Sequence, residues 1–138
     1  MAAPGENLRI NGDRLWDSLM EMAKIGPGVA GGNNRQTVTD EDGEGRKLFQ
    51  SWCEDAGCTM GVDTMGNMFM TREGADPEAL PVYVGSHLDT QPNGGKYDGV
   101  LGVLADGFLP APAAGAFCAF GFGDGVSRGF GGFVFGQF

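Results

Sequence analysis

The sequence is poor in the features that mark membrane, secreted and nucleic-acid-binding proteins. It contains no run of about 18 apolar residues, so no membrane span is predicted. Its first residues lack a basic stretch followed by an apolar one, so no secretory signal is predicted either. Only 9 basic residues stand against 18 acidic ones, which gives a formal net charge of −9. Because that charge repels phosphate groups, we expect no nucleic acid and no anionic membrane as a partner.

Cysteine and histidine are scarce as well. The three cysteines (Cys53, Cys58 and Cys118) form neither an even set nor a C-x-x-C pair, which favours a reducing, cytoplasmic compartment over a disulfide framework. His87 is the only histidine, and no glutamate follows Glu78. Any histidine-dependent chemistry of this chain must therefore involve His87.

Composition changes abruptly near the end of the chain. Residues 1–106 have ordinary globular composition and fit one domain, whereas residues 107–138 are rich in Gly, Ala and Phe, with only Asp124 and Arg128 charged. We interpret the second segment as an aberrant or disordered tail. Either the reading frame departs from the true one near Ala105, or the segment is a natural Gly/Phe-rich sequence. The DNA sequence would distinguish the two.

Two amphipathic helices are predicted in the first half. Asn11 or Asp13 can cap a helix that runs to about Ile25, where Gly26 and Pro27 end it. A second helix begins at Thr39, whose acidic followers resemble a capping box, and ends at Gly57. The predicted apolar stripes consist of Leu15, Trp16, Leu19, Met22 and Ala23 in the first helix and Leu48, Phe49, Trp52 and Ala56 in the second.

The second half of the globular segment has β-type patterning and then one more helix. Alternation from Cys58 to Val62, a turn over residues 63–67 and a return over residues 68–72 predict a hairpin. Residues 81–85 form a short apolar run that predicts a strand buried on both faces. Residues 99–105 are apolar all round and predict a buried helix.

Candidate chemistry lies between that strand and that helix. His87 follows the buried strand, which is where open α/β sheets place their ligand sites. Asp89, two residues on, would point to the same side and could orient the imidazole. Asp98 stands at the start of the apolar helix, where a carboxylate can bridge two divalent ions.

These residues also allow a structural interpretation. A single histidine after a strand can be a satisfied structural side chain, and Asp98-Gly99 can be a turn or a helix cap. Residues 94–96 (Gly-Gly-Lys) do not make a phosphate loop, because Tyr97 occupies the position that needs Ser or Thr.

The segment from Gly85 to Ala105 resembles the metal-binding stretch of hydantoinase/carbamoylase-type amidases. The similarity extends over about residues 8–105. Its other matching positions are Gly31, Gly32, Arg35, residues 39–42, Arg46, Phe49, Asp63, Gly66 and Asn67. The short spacing from His87 to Asp98 is typical of this branch and disfavours a small metallopeptidase.

The resemblance implies a fold, a reaction and roles for three residues. The fold would be α/β, a partial three-layer mixed-sheet catalytic domain of the di-zinc aminopeptidase-like type. The reaction would be hydrolysis of a linear amide or ureido C–N bond in a small molecule, such as an N-carbamoyl amino acid or allantoate, by a homodimer with two divalent metals (Zn, Mn, Co or Ni). His87 would bind one metal, Asp98 would bridge both, and Asp89 would be the catalytic-site carboxylate that orients His87.

The resemblance also implies parts that this chain lacks. The family places paired glutamates and two further histidines later in the chain, together with an inserted dimerisation domain. Since a catalytic zinc normally needs three protein ligands of its own, the chain alone is expected to be inactive with at most a partial metal site. The alternative is a non-catalytic remnant or binding module.

Overall fold

The computed structural model describes residues 10–73, 78, 80, 82–107 and 116–120. In chain order it contains α1 (Gly12–Met22), a 3-10 turn (Val29–Gly31), α2 (Asp40–Asp55), β1 (Thr59–Val62), β2 (Met68–Arg72), β3 (Val82–Val84), α3 (Asp98–Gly107) and β4 (Ala116–Phe120). The architecture is that of a partial α/β domain.

Side-chain caps set the starts of α1 and α2. The Asn11 carboxamide accepts a hydrogen bond from the backbone N–H of Arg14, and the Thr39 hydroxyl accepts one from Asp42. These features confirm the predicted helix starts. The end of α1 differs from its prediction, because the helix ends at Met22 with Ala23 as its C-cap, three residues before Ile25. Gly26 lies in the turn that follows, in a left-handed conformation with φ 66°.

The hairpin of β1 and β2 also agrees with its prediction. The strands pair antiparallel from Thr59–Thr71 to Val62–Met68. In the turn between them the Asp63 carboxylate accepts hydrogen bonds from the backbone N–H groups of Met65 and Asn67 and from the Asn67 carboxamide.

The four strands form one mixed sheet in the order β1-β2-β4-β3. β4 pairs antiparallel with β2 and parallel with β3, so β3, α3 and β4 make a crossover unit. β4 lies within residues 107–138, where the sequence indicated no regular element. Residues 108–115 and 121–138 of the proposed tail lie outside the described residues, as does Pro81 of the predicted strand.

One apolar cluster joins the helices to the sheet. Its buried members are Leu19, Met22, Phe49, Cys53, Cys58, Met68, Met70, Leu88, Val100, Val103 and Leu104. Several of the predicted core positions differ from this result, among them Val62 and Gly85, which are exposed. Trp16 is 53% exposed and stacks against Tyr97, Ala56 is exposed while Cys53 is buried, and Leu101 and Tyr83 are 44% and 37% exposed. A continuous apolar run identifies an element, but it does not identify the faces that become covered.

Among the described residues, no helix combines the length and apolar character needed to cross a membrane.

Candidate metal centre

The imidazole of His87 is held by the residue two positions on. The chain leaves β3 at Val84, and the Nδ1 atom of His87 lies 2.9 Å from the backbone carbonyl oxygen of Asp89 and 3.1 Å from its carboxylate Oδ1. Both of these partners are acceptors, so Nδ1 carries the proton and donates. That tautomer leaves the lone pair of the neutral ring on Nε2.

Nε2 faces the start of α3. Its distance to Oδ1 of Asp98, the first residue of that helix, is 3.9 Å. This is longer than a hydrogen bond, and it is near the ~3.4 Å that separates a nitrogen and an oxygen bound to one tetrahedral zinc ion. The His87 side chain is 15% exposed and that of Asp98 is 39% exposed, so the pair lies at the surface with its nitrogen end more covered.

Gly99 allows the helix to approach the ring. A Cβ atom built on Gly99 would lie 2.2 Å from Cδ2 and 2.3 Å from Nε2 of His87. Only glycine fits this contact, because real Cβ atoms do not come so close to other heavy atoms. Because position 99 has no side chain, the start of α3 can lie close enough to bring the Asp98 carboxylate beside the imidazole.

Both oxygens of the Asp89 carboxylate have partners. Oδ1 accepts from His87, and Oδ2 accepts a 2.5 Å hydrogen bond from the hydroxyl of Thr37. The His87 hydrogen bond lowers the pKa of Asp89; partial burial opposes this, and the Thr37 hydrogen bond adds to it. The same contact with Asp89 raises the pKa of His87 despite desolvation.

A buried arginine fixes the segment that carries His87. Arg35 is 1% exposed, and its guanidinium donates from Nε and Nη2 to the carbonyl oxygen of Leu88 at 3.0 and 2.8 Å. Its Nη1 donates to the carbonyls of Met22 and Ile25 and to Oδ1 of Asn33. Desolvation lowers the pKa of Arg35, while the charges of Asp42 and Asp89 oppose that shift.

The backbone of Arg35 runs alongside the same segment. Its N–H donates to the hydroxyl of Thr90, and its carbonyl accepts from the N–H of Thr90. Arg35 thus links the end of α1 to the residues on both sides of Asp89. Sequence reasoning assigned no role to Arg35 or Thr37, although Arg35 was among the positions that carry the resemblance.

The structure brings the three predicted site residues into one group. His87 contacts Asp89 through Nδ1 and faces Asp98 through Nε2. Within the part of the chain that the structure describes, no group of three or more His, Cys, Asp or Glu side chains is arranged to hold a metal ion. A neutral imidazole nitrogen and a carboxylate oxygen are donors that suit a divalent metal, so this pair fits two ligands of an incomplete centre.

Several curated proteins are similar to this chain in sequence. The chain is 81% identical over 105 residues to an N-carbamoyl-L-amino-acid amidohydrolase of Rhizobium meliloti, a match that covers 76% of this chain and 25% of that protein. It is 44% identical over 96 residues to an N-carbamoyl-L-amino acid amidohydrolase of Geobacillus stearothermophilus, covering 70% of this chain and 24% of that protein. The chain thus spans about a quarter of the length of these curated relatives. No protein-family model matches it.

Solved structures agree with the sequence relatives. A hydantoinase/carbamoylase family amidase from Burkholderia ambifaria is 47% identical, with a TM-score of 0.74 over 82% of this chain and 30% of that one. The aminopeptidase PepT from Bacillus cereus is only 16% identical but has a TM-score of 0.61 over 80% of this chain and 36% of that one, which shows a shared fold.

Proposed function

Because the chain belongs to the hydantoinase/carbamoylase family of amidases, we propose that it is part of an enzyme that hydrolyses a linear amide or ureido C–N bond with the help of divalent metal. The single observation that supports this most directly is the 3.9 Å separation of His87 Nε2 and Asp98 Oδ1 beside the end of β3. Relatives that act on N-carbamoyl amino acids and on allantoate favour a small ureido compound as the substrate.

In this proposal His87 and Asp98 are metal ligands, and Asp89 orients His87. A bound metal would polarise the substrate carbonyl and acidify a water molecule. The residues of this chain contribute three things: Nε2 presents its lone pair, Asp89 holds the proton on Nδ1, and the carboxylate of Asp98 supplies negative charge at the entrance of α3. Nitrogen and carboxylate oxygen donors are compatible with zinc, manganese, cobalt or nickel.

The complete protein would be a cytoplasmic homodimer. The odd number of cysteines supports a reducing compartment, and the resemblance supports dimerisation. The chain alone should not turn over substrate, since two ligands on one side of a site do not hold a metal pair.

A chimaera tests the proposal. The region of the Rhizobium meliloti relative that aligns over 105 residues would be replaced by the corresponding residues of this chain. We expect the chimaera to hydrolyse N-carbamoyl amino acids, and we expect His87→Ala and Asp98→Asn to reduce kcat/KM by at least ~100-fold.

A matched control removes a carboxylate outside the site. Asp55 is exposed at the end of α2, so Asp55→Asn should retain full activity. A folded chimaera without activity, or with activity that His87→Ala does not change, would refute the assignment. It would favour the non-catalytic binding module, a function consistent with the two-residue donor set of the described chain.

A further inference from the structure

Thr37 contacts the group that orients His87, although it lies far away in sequence. Its hydroxyl donates to Asp89 Oδ2 at 2.5 Å across a separation of 52 residues. The other oxygen of the same carboxylate accepts from Nδ1 of His87. A carboxylate held at both oxygens cannot rotate about its Cβ–Cγ bond without losing a hydrogen bond, so Thr37 fixes the plane in which Asp89 meets the ring.

The backbone on the N-terminal side of Thr37 is anchored to the same segment. Arg35, two residues earlier, exchanges hydrogen bonds with Thr90, which directly follows Asp89. Its buried guanidinium also donates twice to the carbonyl of Leu88, which directly precedes Asp89. The contacts of Arg35 with Leu88 and Thr90, the two neighbours of Asp89, therefore fix the distance between residues 35–37 and the Asp89 carboxylate.

The backbone on the C-terminal side is strained. Val38 has φ 67°, a left-handed conformation that a β-branched residue rarely adopts, and its side chain is 86% exposed. No burial of this side chain compensates for the strain. The conformation is instead held by the N–H of Val38, which donates to Oδ2 of Asp42, a buried residue in the first turn of α2.

Strain of this kind persists where surrounding contacts impose it, often beside a functional site. At Val38 the strained conformation turns the chain between Thr37 and Thr39, whose hydroxyls contact different partners. Thr37 reaches Asp89, and Thr39 caps α2 by accepting from the N–H of Asp42. The turn at Val38 thus lets Thr37 contact the site and Thr39 cap the helix, although only one residue separates them.

We propose that Thr37 is a positioning residue of the metal centre, which acts through Asp89 to keep the Nδ1–H tautomer and the orientation of the His87 ring. The proposal rests on the proposed function only in assigning the ring nitrogen Nε2 to a metal. The orientation itself depends on the hydrogen bonds of Asp89 with His87 and Thr37.

The single histidine makes a direct test possible. The full chain labelled with ¹⁵N in histidine gives one pair of imidazole nitrogen signals, and their chemical shifts report which nitrogen carries the proton. The spectra are recorded at a pH at which the ring is neutral. We expect wild type and Thr37→Ser, which keeps the hydroxyl, to have the shifts of a ring protonated at Nδ1.

Valine has nearly the same shape as threonine but lacks the hydroxyl that donates to Asp89. We expect the two signals of Thr37→Val to move towards the averaged shifts of an unconstrained imidazole, while its melting curve stays cooperative. If Thr37→Val does not fold, Thr37→Ala replaces it as the variant without the hydroxyl. Its shifts are then compared with those of Thr37→Ser, which has the hydroxyl. Identical imidazole shifts in the serine variant and in either variant without the hydroxyl would overturn the proposal.

Zinc titration by calorimetry separates this proposal from the function. If the wild type binds zinc, Thr37→Val should weaken binding about ten- to hundredfold and Thr37→Ser should restore it. If the chain alone binds no zinc, the titration is made with the chimaera. Imidazole shifts that respond to Thr37→Val, together with zinc binding by the chimaera that His87→Ala leaves unchanged, would keep the positioning role and overturn the metal assignment. Zinc binding that is unchanged in Thr37→Val overturns the positioning role alone.

Discussion

Gly99 lies directly against the imidazole of His87, and a Cβ atom at that position would overlap the ring at 2.2 Å from Cδ2. The next nearest atoms are Nε2 and Cγ of the same ring, at 2.3 and 2.4 Å, so a side chain at position 99 requires the ring or the helix to shift. Position 99 is therefore as important to the site as the two side chains that it brings together.

Gly99→Ala should displace His87 from Asp98. We expect a loss of about 1–3 kcal/mol of unfolding free energy from overpacking, and loss of any divalent-metal binding. Denaturant unfolding and calorimetric metal titration measure the two effects. Gly43→Ala is the control, because a Cβ at Gly43 meets no atom within 4 Å. A variant at position 99 that binds metal as the wild type does would show that the ring can lie elsewhere.

Two glycines in α2 should respond to alanine in opposite directions. Gly43→Ala should stabilise the protein by about 0.5–1 kcal/mol, because alanine favours the helix and the site is open. Gly45→Ala should destabilise it, because its Cβ would lie 2.7 Å from Cδ of the buried Arg35. Urea unfolding of both variants gives the comparison. Equal effects would mean that Arg35 moves without cost.

Arg35→Gln should destabilise the protein. The shorter side chain removes both donors to the buried carbonyl of Leu88, at about 1–3 kcal/mol. It also removes one donor each from the carbonyls of Met22 and Ile25, which keep hydrogen bonds from the Ile25 N–H and from the Asn33 carboxamide. Arg72→Gln, at an exposed position at the end of β2, makes the same chemical change and should have little effect. Thermal unfolding followed by circular dichroism compares them, and similar melting temperatures would contradict the structural role of Arg35.

The contribution of Asp63 to stability should depend on pH. Desolvation raises the pKa of its carboxyl, but hydrogen bonds from Asn67, Met65 and Gly66 outweigh it and hold the pKa below 3.8. Because the folded-state pKa is depressed, the stabilisation is present above the unfolded value of 3.8 and is lost as the pH falls through the folded value. The stability difference between wild type and Asp63→Asn should thus shrink on acidification. Urea unfolding at several pH values measures this difference. A stability difference that grows on acidification would contradict the lowered pKa of Asp63.

Local patterns predicted the elements that depend on local contacts. The caps at Asn11 and Thr39 and the turn of Asp63 use partners within four residues, so the sequence contains all the information that they need. The proximity of His87 and Asp98 followed from the end of a strand and the start of a helix, both visible as apolar runs.

Contacts between distant segments could not be predicted in this way. Arg35 and Thr37 reach Leu88 and Asp89 across 53 and 52 residues, and no periodicity in the sequence relates those positions. The described residues that accept hydrogen bonds from the Arg35 guanidinium do so through backbone carbonyls and the side chain of Asn33, and such partners leave no charge pattern in the sequence. The strand Ala116–Phe120 was missed because its composition resembles that of the surrounding Gly- and Phe-rich segment.

The central position of β4 has a consequence for biosynthesis. β3, which leads to His87, is joined to the hairpin of β1 and β2 through β4 alone in the four-strand order β1-β2-β4-β3. While the nascent chain leaves the ribosome, the hairpin can form from neighbouring residues, but β3 must wait for residues 116–120 before it has a partner. Until then the segment with the imidazole is held by Arg35 but not by the sheet, and ribosome-bound chains that stop before residue 116 would expose the unpaired edges of β2 and β3 to other molecules.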